Sequence, residues 1–394
     1  MRILFLNHNP EGIGTFFRCL NLGVGLTKLG HDVTIICANS NDKDRRIRLK
    51  KRDGVTLILT PRLEWLSNPR RLIDNLIRGI YEFSCSLTPS WDIIHAFTVS
   101  QPATAIPAIG CRLFKNSIEL VDWDDWWGRG GLASQWGRTV HLIMTFLEEK
   151  IPLISNSVTV VSESLRSRAL KIGIPPNKVF KIPNGANIDL IKPTSKDAAR
   201  LKLGVSNFEH VVLYSGSYYN NNLSMLLEAF SQVTKEHSDA ALLIIGNISA
   251  KHKSLIKNRG ISDKVVYYGM VPYHEMPPYL SAADVLALPM RNILVDQGRW
   301  PIRLGDYLAA GRSIVSNPVG EAKIVLEETG CGLLARTDDP SDFADKIVSL
   351  LSDKHLCEEL GRNARQAAEN KYAWVKIAQK LECVYTTLSQ NCNR

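Results

Sequence analysis

The most unusual stretch of this chain is DWDDWW, residues 122–127, where three aspartates and three tryptophans precede the glycine-rich turn GRGG. Carboxylates at such short spacing are used to hold a divalent cation, to orient a sugar, to take up a proton or to cap a helix. The tryptophan rings offer flat apolar surfaces against which the face of a sugar can pack. The residue types alone leave these four uses open.

A second candidate site lies in GRWPIRLGDYLAAG, residues 298–311. Pro301 suits the first turn of a helix and Gly311 suits its C-terminal cap, so both ends of a helix are marked. Arg303 in the first turn opposes the helix dipole unless it faces a bound phosphate, and Asp306, one turn later, is suited to hydrogen-bond a ribose. The alternative is a surface Arg–Asp pair. The agreement of loop position, helix boundary and charge favours a ligand site.

A third candidate is the loop NPEGIGTF, residues 9–16, which follows an apolar run and opens a predicted helix. Backbone N–H groups near Gly12 and Gly14 are suited to bind an anion at the helix N-terminus, and a tight turn without a ligand is the alternative. A dinucleotide-binding fingerprint requires a third glycine where this chain has Phe17. The spacing therefore disfavours a Rossmann dehydrogenase.

Short apolar runs alternate with segments of helical periodicity along the chain, which is typical of strands buried in parallel sheets. The predicted strands are 2–6, 32–38, 55–60, 92–97, 117–122 and 157–162, and then 210–216, 241–246, 264–269, 284–289 and 313–317. We predict an α/β protein of two doubly wound, Rossmann-like parallel-sheet domains, residues 1–190 and 194–370. A C-terminal helix in 371–394 completes the second domain or crosses to the first. Such domains bind ligands in the cleft at the carboxyl ends of their strands.

Charge is divided unevenly along the 394 residues. Residues 1–190 carry 24 Lys and Arg against 17 Asp and Glu, whereas residues 191–394 carry 24 against 22. Seven basic side chains lie in KDRRIRLKKR, residues 43–52, and such a run is either a solvated loop or a contact for an anionic membrane surface. Nucleic-acid binding is disfavoured because it needs a continuous basic groove and the second half is nearly neutral.

The sequence contains no run of 18 apolar residues and no secretory signal between Arg2 and Asn7. We therefore expect a cytoplasmic protein, peripheral at the inner face of the membrane if the basic run binds lipid. The eight cysteines are scattered without a CxxC pair, which indicates small buried side chains in a reducing compartment.

Four segments resemble, in the same order, the retaining GT-B fold glycosyltransferases of family four. They are PNGANIDLIKP (183–193), YSG (214–216) before LLEAF, YYGMVPYHEMPPYLSAADVLALP (267–289) and GDYLAAGRSIVSNPVGE (305–321). The resemblance implies the GT-B architecture, a nucleotide-diphosphate sugar as donor, and retention of anomeric configuration. It also implies that neither a metal nor a further cofactor is needed.

The resemblance also implies the residues that bind the donor. Asp306 falls on the acid that holds the ribose, Gly216 on the glycine that closes the first strand of the donor domain, and Gly14 on the N-domain glycine near the diphosphate. The full predicted donor set is Gly14, Gly216, Met270, Val271, Arg299, Ile302, Arg303 and Asp306.

Two features depart from the pattern of the family. Gly298 stands where the first of two family glutamates is expected, and SYYNNN, residues 217–222, replaces the Arg and Lys that neutralise the diphosphate. Arg299 and Arg303 are predicted to supply the missing charge. Weak transfer, an unusual donor and an inactive paralogue are the alternatives.

In related enzymes the loop at DWDDWW carries a His, commonly as HD, that meets the donor sugar. The His is absent here, and a metal-binding use of the acids belongs to the other glycosyltransferase architecture. We predict that Asp122 or Asp124 contacts the donor or acceptor sugar as a catalytic group together with Arg303. Asp125 is predicted to cap the next segment and, with Trp126 and Arg129, to border the acceptor. Residues 129–131 are predicted to turn close to phosphate. A buried aromatic cluster with Asp capping is the alternative.

The sequence thus predicts an enzyme that moves a sugar from a nucleotide diphosphate to a hydroxyl of a glycan or lipid-linked acceptor. Its active site is expected where Asp122 and Arg303 face each other across the cleft. An inactive carbohydrate-binding paralogue and a nucleotide-sugar 2-epimerase are the alternatives.

Overall fold

The computed structural model describes residues 1–41, 44–62, 71–88, 90–114, 116–216 and 222–392. The strands are β1 (Arg2–Pro10), β2 (Asp32–Ala38), β3 (Arg48–Arg52), β4 (Val55–Thr60), β5 (Ile93–Phe97), β6 (Ile118–Trp123), β7 (Ser157–Val160), β8 (Val179–Lys181), β9 (His210–Ser215), β10 (Ala240–Ile245), β11 (Val265–Gly269), β12 (Val285–Leu288), β13 (Ser313–Ser316) and β14 (Gly332–Leu334). The helices are α1 (Phe16–Lys28), α2 (Arg71–Ser86), α3 (Pro102–Phe114), α4 (Arg138–Ile154), α5 (Glu163–Lys171), α6 (Lys196–Leu203), α7 (Leu223–Glu236), α8 (Ala250–Asn258), α9 (Met276–Ala282), α10 (Leu294–Gly298), α11 (Ile302–Ala310), α12 (Gly320–Thr329), α13 (Pro340–Ser352), α14 (Lys354–Ala367) and α15 (Trp374–Cys392).

The chain divides into two compact units. The first unit comprises Met1–Asn184, Gln297–Trp300 and Trp374–Arg394, and the second comprises Gly185–Asp296 and Pro301–Ala373. None of the helices within the described ranges is long and apolar enough to span a bilayer.

An eight-stranded sheet forms the centre of the first unit, in the order β3-β4-β2-β1-β5-β6-β7-β8. All neighbouring strands pair in parallel except β3, which is antiparallel to β4. Ile3, Leu4, Phe5 and Leu6 of β1 have no exposed surface, as a strand covered on both faces requires. The strand order reverses between β1 and β5, so the loops at the carboxyl ends of these strands are the expected ligand-binding edge.

The last five residues of the basic run form a strand, whereas one of the two interpretations of the sequence was a solvated loop. Arg48–Arg52 is the edge strand β3, and its backbone pairs with β4 in the register Lys50↔Leu57. The side chains alternate, so that Lys50 and Arg52 lie near Glu11 at 2.7 Å and 3.7 Å. A charged edge strand is a common protection against edge-to-edge aggregation.

The C-terminal helix α15 belongs to the first unit, where it packs against α1. A Cβ atom on Gly25 of α1 would lie 2.5 Å from the Cβ of Ala378, so glycine is required for this close approach. At the end of the contact, His31 Nε2 lies 2.8 Å from a carboxylate oxygen of Glu382.

A six-stranded, wholly parallel sheet forms the centre of the second unit, in the order β11-β10-β9-β12-β13-β14. Its strand order reverses between β9 and β12. Helix α11 follows β12 and the short helix α10, and it begins at Ile302 with Pro301 as its N-cap. The helix ends at Gly311, whose φ of 63° is left-handed, so both boundaries that the sequence indicated are confirmed within one residue.

Candidate active site

Asp122 lies inside strand β6 and its carboxylate is enclosed. Arg18 of α1 donates from Nε to Oδ1 at 2.9 Å and from Nη2 to Oδ2 at 2.8 Å, and the hydroxyl of Thr159 donates to Oδ2 at 2.5 Å. Arg18 and Asp122 are 1% and 0% exposed, so the pair is fully buried. Arg18 also donates to the carbonyl oxygens of Ile182 and Pro183, where the chain leaves the first unit.

Because the Asp122 carboxylate is enclosed, the prediction that Asp122 contacts a sugar is wrong. Its side chain has no exposed surface, and both oxygens already accept hydrogen bonds from Arg18 or Thr159. The predicted strand 117–122 already included Asp122, and its backbone does pair with β5 and β7; the enclosure of its side chain was not predicted. We therefore treat Asp122 as a positioning residue.

Asp124 follows the strand and is half-buried. It accepts hydrogen bonds from the hydroxyl of Thr15 to Oδ2 at 2.5 Å and from the hydroxyl of Thr98 to Oδ1 at 2.7 Å. Burial, reinforced by the charge of Asp122, raises the pKa of Asp124. Thr98 has a φ of 61°, a costly conformation for a β-branched residue and one that occurs preferentially at functional sites.

The rest of the loop is held by helices α4 and α5. Glu148 accepts hydrogen bonds from the backbone N–H groups of Trp127 and Gly128 at 3.0 Å and 2.7 Å, and from Nη2 of Arg168 at 2.6 Å. The guanidinium of Arg168 also lies over the rings of Trp123 and Trp126, at 5.1 Å and 4.7 Å from their centroids. These contacts pack Trp123 and Trp126 against α5, and a role of the loop in binding a sugar stays a prediction.

Arg129 lies in the turn that follows. Its φ of 41° and the φ of 85° at Gly130 form a tight turn, in which Gly131 N–H donates to the Gly128 carbonyl at 3.0 Å. The Arg129 guanidinium donates to Glu149 through Nε at 2.5 Å and Nη2 at 3.0 Å, yet the side chain is 71% exposed. A role in acceptor or phosphate binding stays a prediction.

Asp125 is not the N-cap residue of the next helical turn, contrary to the sequence-based expectation. The short 3-10 turn Leu132–Gln135 is preceded by Gly131 and has no side-chain cap. Instead Asp125 Oδ1 lies 3.6 Å from Nε of Arg299. The predicted compensating cation Arg299 is thus already in an ion pair.

Trp126 fills the space beside Gly298. A Cβ atom on Gly298 would lie 3.0 Å from the Cβ of Trp126, and the Gly298 carbonyl accepts a hydrogen bond from the Ser162 hydroxyl at 2.6 Å. A glutamate at position 298 would require Trp126 to move. The absence of a glutamate at position 298 and the presence of Trp126 are therefore linked, because Trp126 lies where a larger side chain at position 298 would begin.

Three glycines lie in a row at the carboxyl edge of the sheet in the second unit. Gly216 N–H donates to the Ile245 carbonyl at 2.9 Å, and Gly246 N–H donates to the Gly269 carbonyl at 2.7 Å. Gly246 has a φ of 110°, and a Cβ atom there would lie 1.8 Å from the Gly216 carbonyl oxygen. Gly246 therefore cannot carry a side chain, and none of the three residues covers its own backbone with one.

Arg303 in the first turn of α11 reaches this row of glycines. Its Nη1 donates to the Ser215 carbonyl oxygen, and its Cζ lies 5.5 Å from the ring centroid of Tyr214. A Cβ atom on Gly216 would lie 2.6 Å from that same Nη1. Arg303 and Gly216, which the sequence assigned to one donor site, are therefore adjacent.

Asp306 lies one turn further along α11 and is buried. The Tyr273 hydroxyl donates to its Oδ1 at 2.7 Å. Burial raises the pKa of Asp306 to about 7, opposed by the hydrogen bond from Tyr273 and the charge of Arg303. The Asp306 carboxyl can therefore change its protonation near neutral pH, unlike an ordinary aspartate.

The other predicted donor residues are less enclosed. Met270 is 69% exposed and Val271 is half-buried in the segment after β11, and Ile302 is half-buried at the start of α11. Residues 217–221 of SYYNNN lie outside the described residues. Asn222, the last of that segment, donates to the Pro289 carbonyl at 2.7 Å.

Several residues of the candidate site were not predicted from the sequence. Gly246 and Gly269 had a readable signal, because each ends an apolar strand as Gly216 does in YSG. Arg18, Thr98 and Tyr273 had none, because each acts through a partner distant in the chain.

Comparisons with known proteins agree with this fold. The family model described as "Glycosyltransferase Family 4" matches residues 14–190, and the model described as "Glycosyl transferases group 1" matches residues 195–367. The chain is 25% identical over 387 residues to an uncharacterized glycosyltransferase of Methanocaldococcus jannaschii, covering 94% of each protein. Curated relatives with named substrates align over about half of their own length, for example 47%.

Solved structures show the same architecture. A sucrose-phosphate synthase from Thermosynechococcus elongatus superposes with a TM-score of 0.81 at 18% identity, covering 99% of each chain. The Anabaena protein HepE, solved in complex with UDP-glucose, gives a TM-score of 0.74 at 16% identity, covering 98% of this chain and 100% of HepE. These two likenesses concern the GT-B fold. With the two matching models, they show that the chain belongs to the GT-B glycosyltransferases of family four.

Proposed function

We propose that this glycosyltransferase takes its sugar from a nucleotide diphosphate and transfers it with retention of configuration to a glycan or lipid-linked hydroxyl. One observation carries the donor assignment. Buried Asp306 with its partner Tyr273, Arg303 and the bare backbone of the three glycines lie at one edge of the second unit. That edge offers an acceptor for ribose hydroxyls, a cation for phosphate and room for close approach.

The diphosphate would lie at the N-terminus of α11, where first-turn N–H groups have no partner within the helix. Arg303 has five N–H donors, and its bond to the Ser215 carbonyl uses only one of its nitrogens as donor. In the transition state these groups stabilise the negative charge that builds on the departing phosphate oxygen. This role needs no metal ion.

In the proposed reaction the bond between the anomeric carbon and the phosphate oxygen breaks, and a bond from that carbon to the acceptor oxygen forms on the same face. The released diphosphate oxygen takes the proton of the acceptor hydroxyl. Electrons and protons balance without a further reactant. The protein contributes orientation and electrostatic stabilisation.

The acceptor is assigned to the loop after β6 in the first unit. Each oxygen of Asp124 accepts one hydrogen bond from a threonine, and a carboxylate has about four lone-pair sites, so Asp124 can accept more. The buried indole N–H of Trp126 has no acceptor among the described residues. A sugar hydroxyl would satisfy that donor, whose desolvation otherwise costs about 1–3 kcal/mol.

The direct test is a thermal-shift screen of nucleotide sugars followed by turnover with the best donor. A ligand at 100 times its Kd stabilises a protein by about 2.7 kcal/mol. We expect wild type and Asp345→Asn, an exposed change on α13, to respond equally, and Asp306→Asn to respond far less. The donor assignment is wrong if no nucleotide sugar shifts the wild type.

Donor affinity should depend on pH through Asp306. Its pKa is raised to about 7, so the carboxyl is mostly protonated at pH 6 and mostly ionised at pH 8. Only the ionised form accepts hydrogen bonds from both ribose hydroxyls, so we expect about tenfold tighter binding at pH 8 than at pH 6. A nucleotide-diphosphate sugar keeps a constant charge over this range. Titration calorimetry at both pH values checks this, and Asp306→Asn should bind with no such dependence.

One observation favours a second function, that of a nucleotide-sugar-binding protein without transferase turnover. Trp126 occupies the space beside Gly298, where the resemblance expects the first glutamate. Donor hydrolysis measured without an acceptor separates the two functions. Binding without hydrolysis or transfer to any glycan acceptor would favour the inactive protein.

We also propose that the basic segment of residues 44–52, which ends in the edge strand β3, brings the protein to anionic lipid. Its exposed positions combine basic side chains with Leu49, which is 76% exposed. Each Lys or Arg near an anionic membrane contributes about 1 kcal/mol, so Arg46→Gln, Arg48→Gln and Lys51→Gln together should weaken binding to phosphatidylserine vesicles about 100-fold. This triple variant leaves the Lys50–Glu11 ion pair in place.

The matched control for this lipid prediction removes three exposed lysines of α8, Lys251, Lys253 and Lys257. We expect that variant to bind vesicles as the wild type does, and both triple variants to keep their turnover on a soluble acceptor. Equal vesicle binding by the β3 variant and the wild type, measured by co-sedimentation, would end the proposal.

A further inference from the structure

We propose that the second unit holds a zinc ion between His210, His237 and Asp239. The ligand atoms of these three half-buried side chains all lie within 4.8 Å of one another. Two imidazoles and one carboxylate are a donor set that Zn²⁺ favours, with a fourth position for water. This inference is independent of the proposed transfer reaction.

The backbone brings the three ligands together before any metal binds. Strands β9 and β10 pair in parallel in the register Ala240↔His210, so the residues just before Ala240 lie at the same edge as His210. His237 is the C-cap of α7, where its N–H donates to the Val233 carbonyl at 2.9 Å. The Ala240 N–H donates to the His237 carbonyl at 3.1 Å, which closes the turn that carries Asp239.

The side chains lie close enough to converge on one ion. The two imidazole rings are 4.6 Å apart at their centroids and nearly perpendicular, at 76°, so they do not stack face to face. The Ser352 hydroxyl lies 3.1 Å from Nε2 of His237, and a partner on one ring nitrogen orients the ring and leaves Nδ1 for a metal. Ligand atoms around tetrahedral zinc are about 3.3 Å apart, so the three side chains would move closer together when the ion binds.

The local charge also favours a cation. Glu209 and Glu236 immediately precede the two histidines in sequence and are exposed, so two further acids belong to the same two segments. Lys235 is the basic residue closest in sequence to His237.

The position of the proposed zinc site in the sheet separates it from the donor edge. His210 begins β9, whereas Gly216 follows the other end of this six-residue strand. At about 3.3 Å per residue, the two edges of the sheet are about 20 Å apart. A zinc ion would therefore tie the starts of β9 and β10 to the end of α7 without touching the donor site.

The test is calorimetric titration of the full-length, chelator-treated protein with ZnCl₂, together with thermal unfolding. We expect one Zn²⁺ per chain and a melting temperature that rises by about 5 °C or more at saturating zinc. Asp239→Asn should weaken zinc binding at least tenfold and His237→Gln further, because each removes one ligand. His355→Gln replaces an exposed histidine on α14 and should leave zinc binding unchanged.

Asp239→Asn is isosteric, so its melting temperature without zinc should equal that of wild type. Weaker zinc binding by this variant would then not be due to misfolding. Co²⁺ substitution should give the strong visible absorption of a tetrahedral site, and that absorption should be lost in both ligand variants. The proposal is overturned if wild type binds less than half an equivalent of zinc, or if both variants bind it as tightly as wild type.

Discussion

Replacing Arg18 with methionine is expected to lower the free energy of unfolding by about 3–5 kcal/mol, because it leaves the buried Asp122 carboxylate without its partner. Thr159 would remain as the only other described donor to that carboxylate. The carbonyl oxygens of Ile182 and Pro183 would lose the same guanidinium. Thermal or urea unfolding of the first unit measures the change, which should correspond to a fall of about 10 °C in melting temperature.

Two controls make the Arg18 experiment specific. Arg166→Met removes a half-exposed arginine of α5 whose ion pair with Glu163 is 3.9 Å long, and we expect less than about 1 kcal/mol for such a surface pair. The double variant Arg18→Met with Asp122→Asn removes both charges and should be more stable than Arg18→Met alone. If Arg18→Met melts within about 2 °C of the wild type, instead of about 10 °C lower, the buried Arg18–Asp122 pair does not stabilise the first unit as predicted.

Arg303→Met should reduce kcat/KM by about 100- to 1000-fold, the usual effect of removing one donor to charge that develops in the transition state. The expectation rests on the position of Arg303, in the first turn of α11 beside Gly216. Turnover is measured with the nucleotide sugar that gives the largest thermal shift. The loss should fall mainly on kcat, because the negative charge on the bridging oxygen grows as the bond breaks.

Arg303→Lys and Arg336→Met serve as controls for this prediction. Lysine keeps the charge without the planar fork of donors, so we expect an intermediate rate. Arg336 is 74% exposed in the same unit and pairs with Asp339 at 3.0 Å, so its replacement should leave the rate unchanged. If Arg303→Met keeps more than about a third of wild-type kcat/KM, this side chain is not the cation that the transition state requires.

Much of the fold could be predicted because its signals are local. Buried parallel strands are short apolar runs, and all eleven runs predicted from the sequence correspond to strands. Three strands were missed. Arg48–Arg52 is too charged to be recognised, and its backbone pairing with β4 at the sheet edge does not require apolar side chains. Strands β8 and β14 have three residues each, too few for a periodic pattern.

The donor edge was also largely predictable, because its parts are close in sequence. Arg303 and Asp306 are one helical turn apart, and Pro301 and Gly311 mark the ends of their helix. The acidic loop was harder. Asp122, Asp124 and Asp125 are nearly equivalent in the sequence, yet one is enclosed by Arg18, one is held by two threonines and one pairs with Arg299.

The sequence by itself determined the α/β class, the two sheets, the family and the helix that begins after Pro301, since each depends on residues within one element. Tertiary structure decided which aspartate is buried, which space Trp126 fills and which histidines meet. Arg18 and Asp122 are 104 positions apart, Thr15 and Asp124 are 109 apart, and His237 and Ser352 are 115 apart. Burial and pairing set the charge and accessibility of a side chain, and both arise only when distant segments pack together.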